Sequence, residues 1–197
     1  ILFDLGVSSF QIDTPERGFS FQTAAPLDMR MDPNLAVTAA DLINGLGRKE
    51  LYVLFTKLAQ ERLARPIAEA IISARRLKLI TTTTQLAALV EKVYGGRHGK
   101  LHPATKVFQA LRIAVNDELN SLKAALPPAL SLLNHQGTLV VISFHEGEDR
   151  LVKQFFKHQA LEGKGTILTK KPLTPTFEEI SSNPRSRSAK LRALRKI

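Results

Sequence analysis

LVVISFHEGEDR, residues 139–150, is the stretch whose reading decides the fold. Leu139, Val140, Val141, Ile142 and Phe144 surround a single Ser143. The chain then turns polar at His145, Glu146, Gly147, Glu148, Asp149 and Arg150. A near-continuous apolar run bounded by turn residues reads as a strand buried on both faces, the pattern of a parallel sheet. Open α/β sheets hold their ligands at the carboxyl ends of such strands. The chain opens on the same design, Ile1-Leu2-Phe3-Asp4-Leu5 followed by Gly6-Val7-Ser8-Ser9. Two buried strands spilling polar loops from one end would line a single cleft. The same pattern also fits two ordinary core strands with ordinary loops.

Working outward, a helix over 149–158 follows the deciding strand. Pro103 before it suits the first turn of a long amphipathic helix with Val107, Leu111, Ala114 or Val115, Leu119 and Leu122 on one stripe. Pro127-Pro128 should interrupt it, a short helix should follow through Leu133, and Gly137 leads into the strand. Helix, strand, helix is a βαβ-type rhythm. Residues 166–168 and 191–194 are weaker strand candidates.

Between the two strand regions the texture is helical. Thr38 can cap a helix over 39–44 that Gly45 and Gly47 end. Residues 50–60 place Leu51, Leu54, Phe55 and Leu58 on one face. Pro66 suits the first turn of a helix carrying Ile67, Ile71 and Ile72, and Thr84 can cap one carrying Leu86, Leu89, Val90 and Val93. Residues 94–101 read as a flexible basic hinge. Helices flanked by sheet elements make an insertion the economical topology. Residues 11–33 are loop-like, broken by Asp13, Pro15, Gly18, Pro26 and Pro33. Their apolar anchors, Phe19, Phe21, Leu27, Met29 and Met31, predict an ordered loop packed over a cleft.

The 197 residues suit one domain, or one with an insertion, and 44% apolar residues can bury a sizeable core. No apolar run reaches the roughly 18 residues of a membrane span. The absence of Cys excludes disulfides and thiolate metal sites. A chain that opens inside a buried strand, with no signal peptide before it, leads us to expect a missing N-terminal portion. The net charge of +10 favours a polyanionic partner. Residues 183–197 hold Arg185, Arg187, Lys190, Arg192, Arg195 and Lys196 without one acid, which is either a solvated face or a phosphate-contacting one.

Three chemistries gain little support. His145, Glu148 and Asp149 could form a ligand cluster, and His98 and His102 share a helical spacing. Neither matches a zinc pattern, and a basic hinge suits a cation poorly, so no metal is expected. Ser8, Ser9, His145 and Asp149 lack the G-x-S-x-G elbow of a hydrolase. Neither a P-loop nor G-x-G-x-x-G occurs.

Other strings carry a resemblance. D-L-G-V-S-S-x-Q at 4–11, E-R-G-F-S-F at 16–21 and P-L-D-M-R-M-D at 26–32 are similar to the RsmH, formerly MraW, family of small-subunit rRNA cytosine-N4 methyltransferases. So are H-P-A-T-K-V-F-Q-A-L-R-I-A-V-N-D-E-L at 102–119, I-S-F-H at 142–145, E-D-R at 148–150 and N-P-R-S-R-S-A-K-L-R at 183–192. The resemblance implies an α/β, Rossmann-like S-adenosylmethionine-dependent sheet with an inserted helical domain that helps recognise RNA. The methyltransferase part would be 1–35 with 101–197, and the insertion 36–100. The implied reaction methylates N4 of one cytidine in the decoding region of 16S-type rRNA, with the small ribosomal subunit or its rRNA as partner. The implied setting is the bacterial cytoplasm, or an organelle in a eukaryote, and a homodimer is compatible with it.

Mapped by motif, Asp4 and Gln11 correspond to cofactor-binding positions. Two departures stand out. The Gly-rich loop and acidic ribose-binding residue that precede Asp4 in the family are absent from this chain. Glu146-Gly147 and Ala59-Gln60-Glu61-Arg62 replace the usual S-L and G-E-E-R.

A cytosine N4 amine is a poor nucleophile, since its lone pair is delocalised into the ring. A site must hold it in line with the sulfonium methyl and accept its N–H as the nitrogen pyramidalises. We expect Asp4 on the methyl-donor side. Asp28, Arg30, Asn116 and His145 are expected to contact the target nucleotide or order the loops around it. The plainer possibility is that Asp28 and Arg30 brace a loop while Asn116 and Arg112 cap or pack. Because N4 of a paired cytosine is engaged, the base would be flipped or single-stranded. Arg30, Arg112, Arg185, Arg187, Lys190 and Arg192 are the candidate RNA contacts. The alternative from another class is a catalytically silent RNA-binding or ribosome-assembly protein on the same scaffold. A DNA N4-methyltransferase lacks its S/D-P-P-Y string.

Overall fold

The computed structural model describes residues 1–96, 99 and 101–197. Arg97, His98 and Lys100, part of the basic hinge expected at 94–101, lie outside the described residues. In chain order the elements begin with β1 (Leu2–Asp4), α1 (Ser9–Asp13), α2 (Ala39–Gly45), α3 (Arg48–Ala59), α4 (Ala64–Leu77), α5 (Thr83–Tyr94) and α6 (Thr105–Val115). They continue with α7 (Glu118–Leu132), β2 (Thr138–Ser143), α8 (Glu146–Leu161), β3 (Gly165–Ile167), α9 (Phe177–Ser182) and β4 (Lys190–Lys196). The chain forms two compact units, Ile1–Gly6 with Glu118–Ile197, and Val7–Asp117. Among the described residues no helix is long and apolar enough to cross a membrane.

The first unit is a mixed sheet of order β1-β2-β4-β3. β1 runs parallel to β2, while β4 runs antiparallel to both β2 and β3. The two apolar runs pair in parallel as expected, but β4, inserted between β2 and β3, makes the sheet mixed and corrects the expectation of an all-parallel one. Burial on both faces is corrected too. Along β2, Leu139, Val141 and Ser143 are buried while Thr138, Val140 and Ile142 are half-buried. Leu122, Leu126 and Leu130 of α7 and Val152 and Phe156 of α8 join Leu139, Val141 and Leu194 in one core. Residues pointing the other way meet less cover, which is the alternation of a half-covered sheet. β1 is an edge strand in the described sheet, with Leu2 and Asp4 exposed.

Two further expectations fail in this region. Pro127 and Pro128 sit inside α7 without ending it. An interior proline frees the carbonyl four residues earlier, here on Lys123 and Ala124. Both these residues and both prolines are exposed, so water can satisfy the freed groups. The long helix expected from Pro103 instead breaks at Asn116–Asp117, where Asp117 takes a left-handed φ of 48°.

The second unit is helical. Leu51 and Phe55 of α3, Ile67 and Ile71 of α4, Leu86 and Val90 of α5, and Val107 and Leu111 of α6 share a core with Leu27 and Met29. Each such fully buried side chain contributes about 1.5–3 kcal/mol. Thr38 caps α2 as expected, with Asp41 completing a reciprocal box. For α5 the cap is Thr82, not Thr84. Thr82 has Gln85 three residues on to return the hydrogen bond, whereas Thr84 has Ala87. Residues 11–33 are ordered. Leu27 N–H donates to Thr81 O at 2.9 Å and Thr83 N–H to Ala25 O at 2.9 Å. Gly18 is required there, since at φ 72° a Cβ would lie 2.4 Å from Pro26 O.

Candidate active site

Parallel pairing aligns Asp4 with Ile142, and Leu5 N–H donates to Ile142 O at 3.1 Å. Adjacent parallel strands end on the same side of a sheet, so Asp4 and the residues after β2 emerge at one end. Asp4 is exposed there, and Gly6 turns the chain beyond it at φ 92°. Past β2, His145 is the N-cap of α8. Its Nδ1 accepts from the main-chain N–H of Gly147 at 3.1 Å and of Glu148 at 3.4 Å. Glu148 Oε2 reaches back to Phe144 N–H at 2.8 Å and His145 N–H at 3.3 Å. The arrangement is a capping box with imidazole in the place of a hydroxyl.

Ligand atoms of Glu118, His145 and Glu148 lie within 4.8 Å of one another. Two N–H groups donate to Nδ1, so the ring proton sits on Nε2. Nε2 is then a donor, and a donor nitrogen cannot ligate a cation. It is buried without a hydrogen-bond partner among the described residues, with Glu148 Oε1 3.4 Å away and the imidazole side chain 7% exposed. Asp149, grouped with this cluster from sequence, is committed elsewhere. Arg192 Nε and Nη2 donate to its Oδ1 and Oδ2 at 2.6 and 3.1 Å, and both side chains are buried. Lys190 pairs with Glu146. Arg185 and Arg187 lie exposed on the 3-10 turn Pro184–Ser188.

In the helical unit, the other candidates organise one loop. Arg30 donates Nε to Asp28 Oδ1 at 2.8 Å and Nη2 to Oδ2 at 2.7 Å, and Nη1 reaches Pro33 O at 2.8 Å and Leu35 O at 2.7 Å. The hydrogen bond from Arg30 holds the Asp28 carboxyl below the usual range despite partial burial. Asn116 Oδ1 accepts Met31 N–H at 2.6 Å while its Nδ2 donates to Met29 O and Arg112 O, each at 2.8 Å. Arg17 Nη2 donates to Arg30 O at 2.6 Å and Met31 O at 2.8 Å. These contacts fix Met29 at φ 65° and present Arg30 on a braced loop. Gln11 Oε1 accepts Ser8 N–H at 3.0 Å in the cap of α1.

Compared with known protein families, the chain matches the MraW methylase family over residues 1–197. It belongs to that family. Curated relatives agree. "Ribosomal RNA small subunit methyltransferase H" of Dehalococcoides mccartyi is 52% identical over 215 residues, covering 100% of this chain and 60% of the relative. The proteins of the same name from Thermomicrobium roseum and Coprothermobacter proteolyticus are 52% and 50% identical, each covering 100% of this chain and 65% of the relative. The chain thus spans about 60–65% of the length of these relatives.

Sequence reading of this MraW-family chain weighed Glu148 as a candidate ligand and passed over its capping role, which was legible because His145-x-x-Glu148 repeats the spacing of a capping box. Two further residues of the site region were passed over. Arg17 sits in the E-R-G-F-S-F string, but its bonds to the 30–31 carbonyls leave no trace in spacing. Glu118 reaches the His145 cluster from the start of α7, and nothing local in the sequence signals it.

Proposed function

We propose that this chain acts in S-adenosylmethionine-dependent methylation of N4 of a cytidine in the decoding region of 16S-type small-subunit rRNA. The observation that carries this is near 50% identity, over the whole chain, to relatives named for small-subunit rRNA methylation. The chain's own chemistry supports it. Asp4 is an exposed carboxylate at the carboxyl end of a strand, where a Rossmann-like sheet receives its ligand. It fits the cationic end of S-adenosylmethionine, and that group would supply an electrophilic methyl on a sulfonium. His145, buried and fixed in direction by its own cap, would order the loop after β2 around the target nucleotide. The Asp28–Arg30–Asn116 loop is stiff enough to set a nucleotide's position, and Arg185 and Arg187, exposed before β4, together with Lys190 beside Glu146, would give that edge positive potential for flanking phosphates. In this reading the sheet unit carries the chemistry, the helical unit contributes substrate recognition, and the reaction belongs to the bacterial cytoplasm.

The test is transfer of labelled methyl by the full-length protein to small subunits and to their free rRNA, followed by mapping of the modified base. Label on N4 of one decoding-region cytidine is expected, and Asp4→Ala should abolish transfer while RNA binding survives. RNA binding without transfer by the wild-type protein would replace the enzyme with the silent assembly protein.

A further inference from the structure

The helical unit carries a concave basic surface that the candidate site does not use. Two hollows of about 430 and 370 Å³ adjoin, sharing Arg48 and Glu69. One is completed by Ile72, Ser73 and Arg76, the other by Lys49, Tyr52 and Arg65. From α4 come Arg65, Glu69, Ile72, Ser73 and Arg76, at spacings that repeat one helix face. The first turn of α3 and Tyr52 one turn later form the other side.

Four cations meet one acid here, and that acid is held by Arg65, whose Nε lies 3.4 Å from Glu69 Oε1. Among the described residues no carboxylate pairs with Arg48, Lys49 or Arg76. Two of the three open α3, where the helix dipole already disfavours positive charge. Gly47 before them offers no side chain to cap the first N–H groups. Glu50 Oε2 accepts Gly47 N–H at 2.7 Å and offsets part of this charge, but the groove lining still holds four cations to one acid, which suits an anionic ligand. Tyr52 is 43% exposed and offers a ring face beside the cations, while Ile72 gives the groove an apolar wall.

We infer that this groove is an exosite for a single-stranded RNA segment, with Arg48, Lys49, Arg65 and Arg76 on successive phosphates and Tyr52 stacking one base. The inference rests on the partner class proposed above. From Arg65 to Arg76 the face runs ~16 Å along the helix, enough for about four or five stacked nucleotides. Sequence-tolerant stacking with a cationic track is how single strands are held without base readout.

The experiment uses the full-length protein and a fluorescein-labelled single-stranded 20-mer RNA, its duplex form, and small-subunit rRNA as methyl acceptor. The triple variant Arg48→Ala, Lys49→Ala, Arg76→Ala should lose at least about tenfold in 20-mer affinity. The slope of log affinity against log salt should flatten by about 2, since each phosphate contact on a single strand contributes ~0.7. Tyr52→Ala should weaken binding about fivefold or more with the slope unchanged. For methyl transfer, KM for rRNA should rise while kcat stays constant. All four side chains are exposed, and unchanged circular dichroism melts verify the fold. Unaltered affinity and slope in the triple variant, or equal binding of the duplex, overturns the exosite. If the wild-type protein transfers no methyl yet the variants lose the 20-mer, the exosite stands and the enzymatic reading falls.

Discussion

Replacing His145 by Ala and by Asn separates its two possible duties. Alanine removes the acceptor for the N–H groups of Gly147 and Glu148, and loss of a side-chain N-cap costs about 1 kcal/mol, within a range of 0.5–2. It also empties the space of an imidazole that is 93% hidden, which adds about 1 kcal/mol for the packing lost. Asparagine is among the best N-caps, and its Oδ1 can take over from Nδ1, so His145→Asn should return to within about 1 kcal/mol of the native protein. Neither variant keeps the buried imidazole that would order the loop after β2. Methyl transfer to small-subunit rRNA should therefore fall at least about tenfold in kcat/KM for both, the equivalent of ~1.4 kcal/mol of transition-state stabilisation. Tyrosine fluorescence would not report the stability change, because Tyr52 and Tyr94 both belong to the helical unit and the chain has no Trp. Hydrogen exchange at the amides of the first turn of α8 does report it. About 2 kcal/mol of local destabilisation accelerates exchange roughly thirtyfold in His145→Ala and only a few-fold in His145→Asn. If His145→Asn restores transfer along with protection, the imidazole is a cap and nothing more, and its place in ordering the site is refuted.

Two other outcomes follow from buried groups. Asp149→Ala should destabilise the sheet unit by about 3 kcal/mol or more, because it strands the Arg192 guanidinium where only 8% of the side chain is exposed. The double variant Asp149→Leu, Arg192→Leu should recover most of that in urea unfolding followed by circular dichroism, and additive losses would show that the two residues do not interact. Tyr94 donates its hydroxyl to Glu61 Oε1 at 2.6 Å, and burial, then that bond and the nearby carboxylate, push its pKa up to about 12. An unfolded Tyr ionises near 10, so this phenol's contribution to stability is complete below about pH 10 and is lost as pH rises toward 12. Absorbance titration should show one of the two tyrosines ionising near 12, absent in Tyr94→Phe. Full ionisation of both by about pH 11 would contradict the contact.

What could be read from the sequence is what neighbours in the chain decide. Thr38 with Asp41, and the apolar spacing of Leu51, Phe55, Ile67 and Ile71, depend only on helix period and a reciprocal cap. The resemblance strings were equally legible, because Asp4, Arg30, Asn116 and His145 each sit inside one. Strand order was not. β2 reads as a doubly buried parallel strand because Val140 and Ile142 are apolar, yet their faces are only half covered. The prolines of α7 were misread for a related reason. An interior proline costs a helix both a hydrogen bond and a ring clash, and the cost is lowest where the freed carbonyl meets water; which side faces water is a property of the packed unit.

The basic tail shows how far such ambiguity reaches into function. Composition makes Arg185, Arg187, Lys190 and Arg192 equivalent, a run of cations without an acid. In the fold they part company. β4 is hydrogen-bonded to β2 on one side and β3 on the other, so successive residues face opposite surfaces and Lys190, Arg192 and Leu194 share the face that α8 covers. Arg192 therefore points into cover and meets Asp149, 43 residues away in sequence. Lys190 meets Glu146 at the start of α8, while Arg185 and Arg187 lie on an exposed turn before the strand begins. The pair at 149 and 192 ties the helix that His145 caps to the central strand of the sheet. A charge counted as a phosphate contact by composition thus acts, by position, on the helix that His145 caps.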